Sequence, residues 1–235
     1  MNKCSFCSEI TMDEENNLFN TMVSQYINMS HRFLYKTKNW LLIPALGSFV
    51  AGYLLIITEK HFLSIGSVPT YLLLELECLL QTVDSLLKNI YKLSTIAFEH
   101  GAVTDENLGG CCVNHTHLHI LPYNGDILPD IIDDGFEVRK IDSFYDLKMQ
   151  YLSHKPYIFY QNNHGIKYII EGKNIPSQYI RQILADKLGV LENWNWKEYI
   201  GIDYIVDTFN RLNSVDINSI YMEILNKYKG RLKAW

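Results

Sequence analysis

CCVNHTHLHILPYN (residues 111–124) places histidines at 115, 117 and 119, directly after two cysteines and shortly before Pro122. In an extended chain, side chains alternate between two faces. His115, His117, His119 and Leu121 therefore share one face, and Thr116, Leu118 and Ile120 take the other. Three imidazoles on one surface admit three readings: a metal site, a nucleophile with its supports, or core histidines that happen to alternate.

The flanking sequence reads as strands and helices in mixed order. Upstream, RFLYKT, WLLIPAL and YLLIIT are strand-like, with Gly47 and Gly52 marking the connection between the last two. Pro69 then opens a helix on which Leu72, Leu76, Leu79, Leu80, Val83, Leu87 and Ile90 recur at helical spacing, ending near Leu93. TIAF (95–98) is a further strand, followed by Glu-His-Gly and a polar loop containing Gly109 and Gly110. Downstream of Pro122, the cluster of Asn124, Gly125, Asp126, Pro129 and further aspartates reads as a loop. FEVRKI reads as a strand, SFYDLKMQYL as a helix, and PYIFY and KYIIE as a hairpin across QNNHGI. Helices are expected over 176–188, 198–212 and 216–230. This mixture predicts an α+β protein whose antiparallel sheet is packed by helices, with a mixed second half.

Composition narrows the partners. The 235 residues carry a net charge of -5 with 48% hydrophobic and 20% charged residues, an ordinary globular balance. Nucleic acid and anionic membrane are disfavoured by the negative charge, so a small molecule is the expected ligand. MNKCSFCSEI lacks the cationic-then-apolar order of a signal peptide. The most apolar long stretch is interrupted by Glu75, Glu77, Gln81 and Asp84, which does not suit a membrane span. A cytoplasmic protein with reduced thiols is expected, its five cysteines serving as ligands or buried thiols.

Three separated elements, in order, resemble one family. Cys4-Ser5-Phe6-Cys7, the stretch GYLLIITEKH (52–61), and Gly109-Gly110 leading into His115-x-His117-x-His119 are similar to the histidine triad family over residues 4–122, about half the chain. The resemblance implies that His117 is a nucleophile forming a nucleotidyl-histidine, and that His119 contacts the phosphate or leaving group. A neutral imidazole can attack phosphorus when its other ring N–H is held by an acceptor, here expected to be a glycine carbonyl of the approach loop. Zinc-containing relatives, galactose-1-phosphate uridylyltransferases among them, imply a structural zinc held by Cys4, Cys7, His61 and His115. The implied activity is hydrolysis of a dinucleoside polyphosphate, nucleotide sugar or nucleoside phosphoramidate. Nucleotidyl transfer to a phosphate or sugar-phosphate acceptor is the alternative enzyme, and nucleotide or RNA binding without catalysis the alternative class.

The chain departs from the usual family pattern at Gly52-Tyr53, where glycine-histidine is common, and at Cys111-Cys112 before the triad. Phe98-Glu99-His100-Gly101, Ser177-Gln178-x-x-Arg181 and Trp194-x-Trp196 resemble a subgroup of larger bacterial members with a C-terminal extension. The expected division is a triad domain with its zinc element over 1–125 and an extension over 126–235 packed on it. His100, Asn114, Ser177, Gln178 and Arg181 are the substrate-binding candidates. A helix over 176–188 would put Gln178 and Arg181 on one face, with Ser177 and the helix-end N–H groups beside an anion. Members of that family are commonly dimers, so a homodimer is also an expectation.

Overall fold

Uninterrupted buried runs form the centre of the molecule. The computed structural model describes residues 4–13, 16–23, 26, 29–104, 113–171 and 175–232. Two short helices, α1 (Ser5–Ile10) and α2 (Leu18–Val23), precede strands β1 (Tyr35–Lys36), β2 (Trp40–Pro44) and β3 (Leu54–Thr58). After two 3-10 turns come α3 (Leu73–Tyr91), β4 (Thr95–Gly101) and β5 (His117–Pro122). The rest of the chain adds α4 (Leu128–Asp133), β6 (Glu137–Ile141), α5 (Leu147–Leu152), β7 (Tyr157–Gln161) and β8 (Lys167–Glu171). Helices α6 (Tyr179–Lys187), α7 (Ile202–Asn213) and α8 (Ile217–Leu232) follow.

The eight strands among the described residues belong to one antiparallel sheet in the order β1-β2-β3-β5-β4-β7-β8-β6. Residues 126–235 therefore continue the sheet, because β7 pairs with β4 from Ala97↔Gln161 to Gly101↔Tyr157. Every residue of β2, β3, β4, β5 and β7 is buried, as strands covered on both faces require. Alternation splits the core in two. Leu42, Ile56, Ala97, Leu118, Ile120 and Phe159 face α3 and α8, while Leu41, Ile57, Phe98, Leu121 and Ile158 face α6 and the N-terminal helix. His117 and His119 lie on the second face with Leu121.

Three sequence expectations change. Residues 128–133, read as loop, form α4, with Pro129 in its first turn, where the missing N–H costs no helical hydrogen bond. Helices α1 and α2 were not expected. The helix expected over 176–188 spans Tyr179–Lys187, and Gln178 precedes it in a left-handed conformation with φ 57°. Gln178 and Arg181 are therefore not neighbours on a helical face.

The last third of the chain grips the turn between β2 and β3. Gly47 N–H donates to the Ile200 carbonyl at 2.8 Å, and Gly52 N–H donates to Thr208 Oγ1 at 2.8 Å. Gly201, at φ 70°, lies so close to this turn that a Cβ there would sit 1.8 Å from the Ser48 carbonyl oxygen. Among the described residues, no helix is long and apolar enough to cross a membrane.

Candidate active site

β5 brings His117 and His119 to one cavity, whose lining includes Phe6 from α1, Val113, Arg181 from α6 and Trp196. His117 Nδ1 is 2.6 Å from the backbone oxygen of His115. A carbonyl only accepts, so Nδ1 carries the proton and the lone pair is left on Nε2. The acceptor is thus the carbonyl two residues earlier in the same segment rather than a glycine of the approach loop. Gly109, Gly110, Cys111 and Cys112 lie outside the described residues. Burial lowers the His117 pKa, partly offset by that hydrogen bond, which favours the neutral nucleophilic form.

His119 is stacked on Phe98, with ring centres 4.4 Å apart and planes within 4°. Its Nδ1 lies 2.9 Å from the hydroxyl of the fully buried Tyr53. Burial first, and then the neighbouring His117, Arg181 and His100, hold the His119 pKa well below the usual value. Burial raises the Tyr53 phenol, and the charge and hydrogen bonding of Arg181 oppose that rise. His100, also buried, lies two residues beyond Phe98 on the same face of β4.

Arg181 enters the cavity from α6. Its Nε donates to the Trp194 carbonyl at 2.9 Å and its Nη2 to the Gly47 carbonyl at 2.7 Å. The guanidinium lies 4.9 Å from the Phe49 ring centre and 5.4 Å from that of Tyr53. It is 3% exposed, and no carboxylate pairs with it among the described residues. A buried guanidinium with no carboxylate partner among the described residues suits an incoming anion. The cavity wall also contains Glu9 and Arg32, a buried bidentate pair at 2.7 and 2.8 Å. Arg32 Nη1 donates in addition to the Pro44 carbonyl.

The other substrate-binding candidates are placed differently. Gln178 Nε2 donates to Asn195 Oδ1 at 3.2 Å, and its Oε1 accepts from Trp196 N–H at 3.3 Å, so it fastens the Trp194-x-Trp196 segment to the start of α6. Ser177 is exposed, and its carbonyl accepts from Gln182. Asn114 is half-buried in the bend between Val113 and His115. The sequence reading missed Phe6, Glu9 and Arg32 at this cavity. Phe6 and Glu9 are three apart, a spacing that puts them on one side of a short helix; nothing local to Arg32 marks it.

A second cluster adjoins the first. The ligand atoms of Cys4, Cys7, His61 and His115 all lie within 4.8 Å of one another, close enough to hold a metal ion. Cys4 Sγ is 3.4 Å from His115 Nδ1, while Cys7 Sγ is 3.4 Å from His61 Nδ1 and 3.6 Å from His115 Nδ1. A tetrahedral ion with ligand bonds of about 2.0–2.3 Å needs donor-to-donor edges of roughly 3.3–3.8 Å, so the donor set fits. His115 Nε2 donates to the Thr58 carbonyl at 2.8 Å, which turns an unprotonated Nδ1 toward the thiols. Burial lowers His115 to about 4, keeping it in the ligating form. Burial and the neighbouring Cys4 raise the Cys7 thiol to about 11, so a bound cation would have to displace its proton.

No protein-family model matches the chain, and no curated protein matches it. Three solved structures it resembles are histidine triad proteins. One is a hypothetical histidine triad nucleotide-binding protein from Sulfolobus tokodaii, 19% identical with a TM-score of 0.39, over 63% of this chain and 89% of that one. Another is a HIT family protein from Bacillus anthracis, 17% identical with a TM-score of 0.39, over 65% of this chain and 91% of that one. A Hit-like protein involved in cell-cycle regulation from Bartonella henselae is 17% identical with a TM-score of 0.35, over 60% of this chain and 97% of that one.

Proposed function

We propose that the chain is a nucleotide hydrolase that works through a nucleotidyl-histidine on His117. Its substrate is a dinucleoside polyphosphate, a nucleotide sugar or a nucleoside phosphoramidate. The observation that carries this reading is the hydrogen bond from His117 Nδ1 to the His115 carbonyl, which leaves an Nε2 lone pair in a cavity shared with His119 and the buried Arg181. In the first step that lone pair attacks phosphorus. The P–N bond forms, the bond to the leaving group breaks, and the leaving group departs with the electron pair. The imidazole becomes cationic, and its N–H bond to the carbonyl stabilises that charge. In the second step a water oxygen attacks the same phosphorus, the P–N pair returns to Nε2, and the water's proton passes to solvent. Arg181 and His119 bind the phosphoryl oxygens, and Trp196 covers the cavity.

Zinc is the metal proposed for Cys4, Cys7, His61 and His115, since two thiolates and two imidazoles are its preferred structural set. Four protein ligands leave no position for substrate, so the ion would pin α1 beside β5. Thiolate ligands need reduced cysteines, which is consistent with a role in the cytoplasm. The burial of His117 and His119 also favours a second reading, nucleotidyl transfer to a phosphate or sugar-phosphate acceptor, because a covered intermediate is shielded from water.

Intact-mass measurement after mixing with candidate nucleotides and quenching without acid tests the reaction. A nucleotide-sized adduct is expected on the native protein and none on His117→Ala. Binding with neither adduct nor turnover across a broad panel would refute catalysis. Elemental analysis of protein purified without chelator tests zinc, and a chain lacking stoichiometric metal would reject it.

A further inference from the structure

We infer that Tyr53 is a positioning residue that sets His119 in the ring tautomer opposite to that of His117, with Arg181 reinforcing it. The role assigned to this arrangement rests on the reading of His117 as nucleophile; the tautomers themselves do not.

The argument begins with the Tyr53 hydroxyl. Its hydrogen bond with His119 Nδ1 at 2.9 Å can run either way, since an imidazole nitrogen can donate or accept. Tyr53 is fully buried, and His119 Nδ1 is the acceptor within reach of its O–H among the described residues. If Nδ1–H donated to the phenol, the O–H would be left buried without an acceptor, which is costly. If O–H donates to Nδ1, both groups are satisfied. The Arg181 guanidinium, 5.4 Å from the Tyr53 ring centre, draws electron density from the phenol oxygen and strengthens its O–H as a donor. His119 therefore carries its proton on Nε2.

The two histidines then present opposite chemistry from rings 5.0 Å apart and inclined by 62°. His117 offers a lone pair on Nε2, fixed by the His115 carbonyl. His119 offers an N–H on Nε2, fixed by Tyr53. A phosphoryl group needs both at once, a nucleophile at phosphorus and a donor to its oxygen, whereas two lone pairs would repel it. His119 keeps its proton and donates only a hydrogen bond. Arg181 is anchored to Gly47 and Trp194, so the C-terminal part of the chain helps set the polarity of a histidine on the central sheet.

Imidazole ¹⁵N spectra of the full chain, which distinguish the two tautomers, test this directly. The native protein is expected to show His117 protonated on Nδ1 and His119 on Nε2. Tyr53→Phe should shift His119 toward the Nδ1–H form and leave His117 unchanged. Once a turned-over substrate is in hand, kcat should fall at least about tenfold with KM within about twofold. Arg181→Lys should move the His119 signals in the same direction to a smaller extent. A native His119 protonated on Nδ1, or a Tyr53→Phe spectrum identical to the native one, overturns the inference. If Tyr53→Phe fails to fold, the native spectrum alone decides. The expected spectra without a covalent adduct on His117 would refute the proposed reaction and leave the tautomer assignment standing.

Discussion

The His115 ring and the Thr58 carbonyl are joined by a 2.8 Å hydrogen bond that ties the start of β5 to the end of β3 and orients the opposite ring nitrogen toward Cys4 and Cys7. Both the Cys/His cluster and the His117 ring depend on this residue, since its side chain faces the thiols and its carbonyl holds His117.

Removing the proposed zinc should therefore damage more than the cluster. Phe6, between Cys4 and Cys7, lies 5.6 Å from the His117 ring, so freeing α1 uncovers His117. Strong chelation or Cys7→Ser is expected to lower the melting temperature by about 10 °C, the equivalent of roughly 3 kcal/mol or more in a domain of this size. Turnover should fall in parallel. Calorimetry with metal quantification checks both.

Arg181→Met keeps much of the packing against Phe49 and removes the buried charge. Affinity for a nucleoside monophosphate or inorganic phosphate is expected to fall about ten- to a hundredfold, the usual cost of one charge-assisted contact. Gln178→Ala should act more weakly, because that side chain reaches Asn195 and Trp196 instead of the cavity. Titration calorimetry distinguishes the two.

Glu99 gives a stability signature in pH. Burial raises its carboxyl from 4.5 to about 8, opposed by donation from Ile65 N–H and Tyr157 O–H. The folded chain thus holds this proton more tightly than the unfolded one. The associated stability is complete below about 4.5 and is lost as pH rises through about 8. Glu99→Gln should abolish that loss, gaining on the order of 2–4 kcal/mol relative to the native protein between pH 5 and 8.5. Denaturant unfolding across that range measures it.

Gly201→Ala should be among the most damaging loop substitutions, because Gly201 is buried. The residue sits at φ 70°, and its Cβ would collide with the Ser48 carbonyl. A loss of about 2–4 kcal/mol is expected from equilibrium unfolding. Faster amide exchange at Gly47 and Gly52 should accompany it, because their N–H groups bond to Ile200 and Thr208.

Much of this architecture is legible locally. The runs at 40–44, 54–58, 157–161 and 167–171 are apolar enough to declare strands, and the leucines of α3 declare its buried face. The convergence of Cys4, Cys7, His61 and His115 could be named because the family resemblance linked segments far apart in the chain. What stayed hidden depends on pairing at a distance. Period-two alternation says which face a strand buries but not which strand lies beside it, so the seam between β4 and β7 could not be read. Glu9 and Arg32 are 23 residues apart and carry no mutual signature. The Pro-Ser-Gln stretch reads as a helix start, but Gln178 is left-handed there and its side chain bonds to the distant Trp194-x-Trp196 segment, a pairing invisible locally. Pro129 among aspartates is equally a turn or a first helical turn.

The seam also bears on where the sheet could be extended. β4 is wholly buried, and β7 occupies the backbone groups along its outer side. The borders that remain among the described residues are β1, two residues long, and β6, which exposes Glu137, Arg139 and Lys140. A short border and a charged one are poor templates for further strand addition. Among the described residues the sheet therefore ends itself at both borders, and growth by strand addition from a second chain is disfavoured.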